Sequence, residues 1–458
     1  MKLSLLPPLV RRFGASALLV SWVVTALRLG NVFLILPLIL RELPRTEVGL
    51  WFLLLNLTQL FTLVEIGFQS TISRSVSFLQ AGADQLTEFG ISPATRLASV
   101  PNVDGLAGLL ATSQGLYRVI AALAGTLAVI GGGGWLAWSH PADFFQPRTI
   151  ATFLVLCLAC PIGLAGLHWN AFLFGLNRVR DAQAIQLRAL ALNYAVSVIG
   201  LLSGGGILAL AFGQLAMIAW SRWESWRCVK RDFPEISASR PTRTAVPWQR
   251  LWPMAWRTGI HTLFSYLAIT ASILVCGQVL GLSTTASYGL SFQGAVALHG
   301  LSNIWLSVKY PLISQMLAAG EVIAVRKLFV ERLLAAMITF GVGSAIAVMW
   351  GPDILVLLGS KTPLLPTSHL IGLFVVVGLD LLVASHSSVL LLSNRATHLP
   401  NLIVAGAVHL PLAWLLATRF QVPGLIAAIA ISSLLLHSWR TPLQLWRLLE
   451  APAKPKNV

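Results

Sequence analysis

The sequence predicts an all-α, polytopic integral membrane protein: about 12 transmembrane helices in two six-helix bundles, related by a pseudo-twofold axis along the membrane normal. Three observations lead there. Asp, Glu, Lys and Arg make up only 10% of the 458 residues, while hydrophobic residues reach 56% and mean hydropathy is +0.78; a soluble domain carries roughly 25% charge. Apolar runs of about 20 residues, long enough to cross ~30 Å of hydrocarbon, recur along the whole chain. Those runs are continuous rather than alternating, which excludes a β-barrel.

The expected spans fall near 15–40, 48–78, 113–138, 149–176, 183–203, 206–226, 251–280, 286–318, 327–350, 367–393, 400–418 and 423–446. Trp51, Trp135, Trp138, Trp223, Trp252, Trp350 and Trp446 lie at or near span ends, where amphipathic rings settle among headgroups. Pro37, Pro161 and Pro311 fall inside apolar runs; helices in lipid tolerate such breaks when neighbours satisfy the freed backbone groups. The first residues, MKLSLLPPLVRRFG, do not read as a cleaved signal peptide.

Charge placement sets the orientation. Lys and Arg number 32 against 16 Asp and Glu. The N-terminus, the loops after even-numbered spans and the C-terminus hold 23 of the basic residues, and the opposite loops hold 5. The positive-inside rule therefore puts both termini in the cytoplasm. The longest basic stretch, Arg222 to Arg257, marks a division into an N-terminal bundle (1–226), a basic cytoplasmic loop (227–250) and a C-terminal bundle (251–458). Such a loop suits anionic lipid headgroups. Nucleic acid is not an expected partner, although the pI is near 10.7.

The two halves match weakly but in order. Glu47-Val-Gly-Leu-Trp51 corresponds to Ser287-Tyr-Gly-Leu-Ser291, Leu79-Gln-Ala-Gly82 to Leu317-Ala-Ala-Gly320, and Asn177-Arg178 to Asn394-Arg395. The offset falls by about 21 residues between the second and third pairs, because 83–112 is a long connection and 321–326 a short one. A duplication with an even number of spans per half is an arrangement typical of transporters that rock two bundles around a central cavity.

Arg28-Leu-Gly-Asn31, Pro37-Leu-Ile-Leu-Arg41, Glu47-Val-Gly-Leu-Trp51, Val64-Glu-Ile-Gly-Phe68 and Ser73-Arg74 follow one another over the first 80 residues. This succession resembles the first two helices of bacterial polysaccharide flippases, the O-antigen and exopolysaccharide exporters of the multidrug/oligosaccharidyl-lipid/polysaccharide superfamily. Val48 stands where that family usually has Tyr, and Glu65 where it has Asp. The resemblance implies alternating-access flipping of an undecaprenyl-diphosphate-linked oligosaccharide across the bacterial inner membrane. The lipid-linked glycan is then the substrate, and a polysaccharide polymerase and chain-length proteins are candidate partners.

That tally of loops and tails leaves four cations assigned to the membrane interior: Arg28, Arg74, Arg118 and Lys309. A charge at bilayer depth is costly unless it faces a cavity or a partner. Arginine's planar fork pairs with phosphate through two parallel bonds, so these four are the expected diphosphate ligands. Asn31, Asn56, Gln59, Gln69, Gln293 and Asn303 would contact sugar, and Glu65 and Asp380 would couple the cycle to protons or sodium. Plainer readings stand beside these. Arg74 and Arg257 can snorkel to headgroups, Glu65 or Asp380 can serve as the structural partner of Arg28, and His261, His299 and His386 can be helix-packing groups. Cys157 and Cys160 read as packing residues; no metal site and no cofactor is expected.

The first rival is a multidrug exporter of the same superfamily, disfavoured because the four cations outnumber the two carboxylates. A peptidoglycan lipid-precursor flippase usually carries two further spans. A membrane polysaccharide polymerase or glycosyltransferase needs a large outer loop or an acid and metal site; the longest outer loop, 351–366, offers only Asp353 and no Asp-x-Asp occurs. An enzyme is therefore not expected.

Overall fold

A computed structural model describes residues 35–65, 67–82, 100–238, 248–319, 321–392, 399–433 and 439–450. Every regular element among them is helical, and eight helical stretches are long and apolar enough to cross a membrane. The all-α, polytopic expectation holds. Arg28 and Asn31, with most of the first expected span, lie outside the described residues, as does the repeat pair Asn394-Arg395.

The helices are α1 (Leu36–Glu42), α2 (Arg45–Thr62), α3 (Phe68–Gln80), α4 (Val103–Thr126), α5 (Pro147–Ala165), α6 (Leu167–Gly175), α7 (Val179–Leu202), α8 (Gly206–Asp232), α9 (Pro234–Ala238), α10 (Trp252–Ser265), α11 (Ser272–Leu280), α12 (Leu282–Ser307), α13 (Tyr310–Ala319), α14 (Val322–Leu357), α15 (Thr367–Leu392), α16 (Leu399–Ser433) and α17 (Arg440–Glu450). Several differ from the sequence expectation for identifiable reasons. Span 2 is two helices, α2 and α3, separated at Gly67, which adopts a left-handed φ of 70°. Span 8 divides just before Pro311, the second residue of α13, a position where a missing N–H costs nothing. The last two spans share α16, whose backbone leaves helical geometry at Gln421 (φ 55°) ahead of Pro423. Two π-type turns, Leu127–Gly132 after α4 and Tyr266–Thr270 after α10, loosen helices that the sequence reads as uniform.

The contacts divide the chain into two compact units. Unit 1 comprises residues up to Glu42 and Leu57–Thr262; unit 2 comprises Leu43–Asn56 and Leu263–Val458. Unit 1 is centred on Ile72, Val76, Leu109, Tyr117, Phe172 and Ile185, all at or near zero exposure. In unit 2 the core is Tyr288, Phe329, Leu373, Leu381 and Leu425. Each buried Leu or Phe contributes about 2 kcal/mol where it leaves water, and otherwise acts through close packing.

Unit 2 explains the motif that repeats at 47–51 and 287–291. Arg45 donates from Nε to the Ser283 carbonyl and from a terminal nitrogen to Ser287 Oγ, both at 2.9 Å. One turn on, Gly49 faces the backbone of Leu282 and Ala286, and Gly289 faces the Phe52 ring. The two glycines of the repeat thus sit in one helix crossing, where small residues let backbones approach.

Helix α8 runs six residues beyond the expected span end at 226. Its last residue is held by ions: Asp232 accepts from Arg178 at 2.6 Å and from Arg231 at 2.7 Å, while Arg178 also lies 3.4 Å from Asp181. Asp181, Cys228 and Asp232 bring ligand atoms within 4.8 Å of one another, but arginines already occupy the two carboxylates, so the group reads as an ion-pair network. The Arg231 hydrogen bond, opposed by partial burial and helped by the charges of Arg231 and Arg178, holds the Asp232 carboxyl below its usual range. A depressed carboxyl stabilises the fold fully above its unfolded pKa of ~3.9, and the contribution disappears as pH falls through the lower folded value. Asp232→Asn should therefore cost about 1 kcal/mol at neutral pH, and the cost should shrink as pH falls below the usual carboxylate range; paired thermal melts of wild type and variant across an acidic pH series check this.

Candidate functional site

A polar cluster inside unit 1 is built where span 2 breaks. The N-terminal turn of α3 leaves backbone N–H groups without helical partners. Glu65 supplies the acceptors: its carboxylate takes the N–H of Gly67 at 3.0 Å and that of Gln69 through its other oxygen. Gly67 makes the left-handed turn that brings them together. It also lies against α10, where a Cβ would come within 2.7 Å of Thr258 Cβ. In a bilayer every such group must find a protein partner, so the break and the carboxylate require each other.

The same carboxylate accepts from Tyr117 Oη at 2.6 Å. Tyr117 is fully buried on α4, and its ring packs 5.9 Å from His168 at the start of α6, which in turn lies 4.6 Å from Trp169. Gln69 donates to Asn170 Oδ1 at 3.2 Å, tying α3 to α6. Arg222 of α8 lies across from Gly166; a Cβ on that glycine would come 2.8 Å from Arg222 Cβ. The Arg222 Nε has no hydrogen-bond partner among the described residues. An acid, a phenol, an imidazole and a guanidinium are thus gathered at one break in the helix stack. This set can take up and release a proton or a small cation at the carboxylate, with the phenol as its orienting donor.

The other sequence candidates are placed as follows. Arg74 and Arg118 are exposed on α3 and α4, Arg118 next to Tyr117 in the chain. Gln59 is exposed near the end of α2. Asn56 is buried, with its amide donating to the Phe52 carbonyl at 2.8 Å and its own carbonyl accepting from Tyr266 Oη at 2.8 Å. In unit 2, Gln293 and Asn303 are half-buried on α12, and Lys309 is half-buried in the turn before α13. Asp380 of α15 lies with Oδ2 3.5 Å from His299 Nε2, so His299, read from sequence as a packing group, faces the second carboxylate. His386 does pack as expected, with Nδ1 2.7 Å from the Leu382 carbonyl and its ring 4.9 Å from Phe329.

Sequence reasoning missed Tyr117, His168, Asn170 and Arg222 as members of the site. Tyr117 carries a signal in the sequence, since it neighbours Arg118 in an apolar run. Arg222 reads in the sequence as one of the topological charges because it begins the basic stretch. For His168 and Asn170 only the fold supplies the information.

No protein-family model matches the sequence, and no curated protein matches it. Solved structures do. The chain is similar to an inward-facing multidrug-resistance MATE family transporter of the MOP superfamily, with a TM-score of 0.65 and 15% identity over 93% of this chain and 96% of that one. It is similar to a second MATE multidrug transporter, solved in a complex, at 0.62 and 13% over 97% and 96%. A MOP superfamily transporter from Pyrococcus furiosus, described as having a binding pocket of reverse polarity that suggests a different function, matches at 0.59 and 15% over 93% and 94%. At these identities the likeness is one of fold.

Proposed function

We propose that this protein is an ion-coupled secondary transporter that works by alternating access, exporting amphiphilic small molecules. The carrying observation is the Glu65 carboxylate, held by Tyr117 and by the N–H groups of a broken helix. Such a group binds a cation in one state of the cycle and releases it in another. Asp380, facing His299, is a second carboxylate, in unit 2. The duplication read from the sequence supplies the two halves that an alternating cycle needs. The outward direction rests on the neighbours in fold described as multidrug-resistance transporters. The choice of substrate rests on the neighbours in fold, several of which are described as multidrug transporters. On that ground the multidrug reading stands ahead of the lipid-linked oligosaccharide that the first 80 residues suggest.

The flippase reading stays as the second, because the membrane-depth cations outnumber the carboxylates and one neighbour in fold is described as having a pocket of reverse polarity. In that case Arg28, Arg74, Arg118 and Lys309 hold the diphosphate. A deletion strain separates the two. Raised accumulation of cationic dyes, restored by the plasmid-borne gene, supports drug export. Unchanged dye levels together with lipid-linked glycan collecting on the cytoplasmic leaflet overturn it in favour of the flippase.

A further inference from the structure

The α7–α8 pair of unit 1 carries a second polar site, remote in sequence from Glu65, that transport leaves unused. Residues at helical spacing on the two facing stripes enclose a cleft of about 580 Å3. Arg180 and Arg188 line it from α7; Trp220, Trp223, Arg227 and Arg231 line it from α8. Trp220 and Trp223 stand 5.4 Å apart, and the Arg227 guanidinium lies 5.4 Å over the Trp223 ring. One turn further round the helix, Lys230 sits 4.9 Å over Trp226.

The acids in the cleft are already engaged. Glu224 accepts from Arg188 at 2.6 Å and from Trp220 Nε1 at 2.8 Å; Asp181 faces Arg178 at 3.4 Å. Arg180 and Arg227 are exposed, and among the described residues no carboxylate lies within ion-pair distance of either. Two arginine forks therefore face a cleft whose α8 side carries two indoles.

We infer that this cleft binds the phosphate headgroup of an anionic phospholipid. Charge complementarity selects the anion: four arginines line the cleft against two carboxylates, and a guanidinium fork fits a phosphodiester through two parallel bonds. The indoles select the lipid over a free anion. Trp220, Trp223 and Trp226 are 37–43% exposed and span about 9 Å along α8, the depth of a headgroup layer. Amphipathic rings settle at that level, and cations stacked on them present their charge to the headgroup plane. The positive-inside assignment puts this end of α8 at the cytoplasmic leaflet, where anionic lipids concentrate.

The test is lipid retention by the full-length protein, measured by native mass spectrometry and by the melting temperature. Phosphatidylglycerol, phosphatidylcholine and inorganic phosphate are titrated separately. Wild type should retain phosphatidylglycerol selectively, and Arg180→Gln with Arg227→Gln should weaken that retention about tenfold or more. Arg227→Gln alone should give a smaller loss, and serves if the double variant folds poorly. The control removes two other exposed, Trp-stacked arginines, Arg326 over Trp446 and Arg440 over Trp439; it should leave retention within about twofold of wild type. Equal losses in the two double variants would show diffuse electrostatics and overturn the site. Inorganic phosphate that binds as tightly as phosphatidylglycerol would overturn the lipid assignment.

Discussion

Replacing Glu65 by Gln should reduce gradient-driven export by at least about tenfold while leaving a folded, normally abundant protein. Glutamine keeps one oxygen to accept from the α3 backbone and from Tyr117, but it cannot bind and release a cation. Glu65→Ala should lose export and also destabilise, by about 1–2 kcal/mol, because it strips the acceptor from the N–H groups of Gly67 and Gln69. A purely structural Glu65 gives the opposite pattern: Gln exports normally and only Ala fails. Tyr117→Phe removes the 2.6 Å phenol donor and should shift the pH dependence of export rather than abolish it. Initial export rates across a pH series, at matched protein levels, distinguish these outcomes.

Gly49→Leu should be among the most damaging single substitutions in the described chain. A Cβ at Gly49 would meet backbone rather than side chain: the Leu282 carbonyl carbon at 2.7 Å and the Ala286 nitrogen at 3.2 Å. Backbone cannot rotate away, so α2 and α12 must separate, and the two Arg45 bonds to Ser283 and Ser287 go with them. Overpacking of this kind costs about 3 kcal/mol or more. Gly294 lies on the same α12, and a Cβ there meets nothing within 4 Å. Gly294→Ala should be neutral or stabilise by up to about 1 kcal/mol, since alanine favours helix over glycine. In detergent, the melting temperature should therefore fall and the size-exclusion profile degrade for Gly49→Leu, while both stay level or improve for Gly294→Ala.

These two positions illustrate what the sequence can carry. Gly49 belongs to a repeat visible in the chain, and Glu65 is conspicuous as a carboxylate in an apolar run, so both were legible. The reason for each was not. The break at Gly67 hides because apolar residues continue on both sides of it, and the partner of Glu65 lies 52 residues away on α4. The end of α8 misled in a different way. Its last residues, Arg227-Cys-Val-Lys-Arg-Asp232, read as a polar loop after residue 226, yet Arg and Lys favour helix, and the ion pairs of Asp232 with Arg178 and Arg231 hold the helix end. Asn56 shows the limit of reading polar residues in spans as ligands: its amide is spent on the helix that carries it. Composition therefore decided the helical, membrane-spanning class, while the chemistry of the site depended on contacts between helices.

The most direct test is ion movement driven by substrate. Purified protein is reconstituted in liposomes containing a pH-sensitive dye, and a gradient of a cationic substrate is applied with no ion gradient present; a parallel series uses a sodium-sensitive dye. Wild type should move protons or sodium against the substrate flux, and Glu65→Gln should move neither. Substrate flux with equal ion movement in wild type and Glu65→Gln would contradict the assignment of Glu65 as the coupling carboxylate.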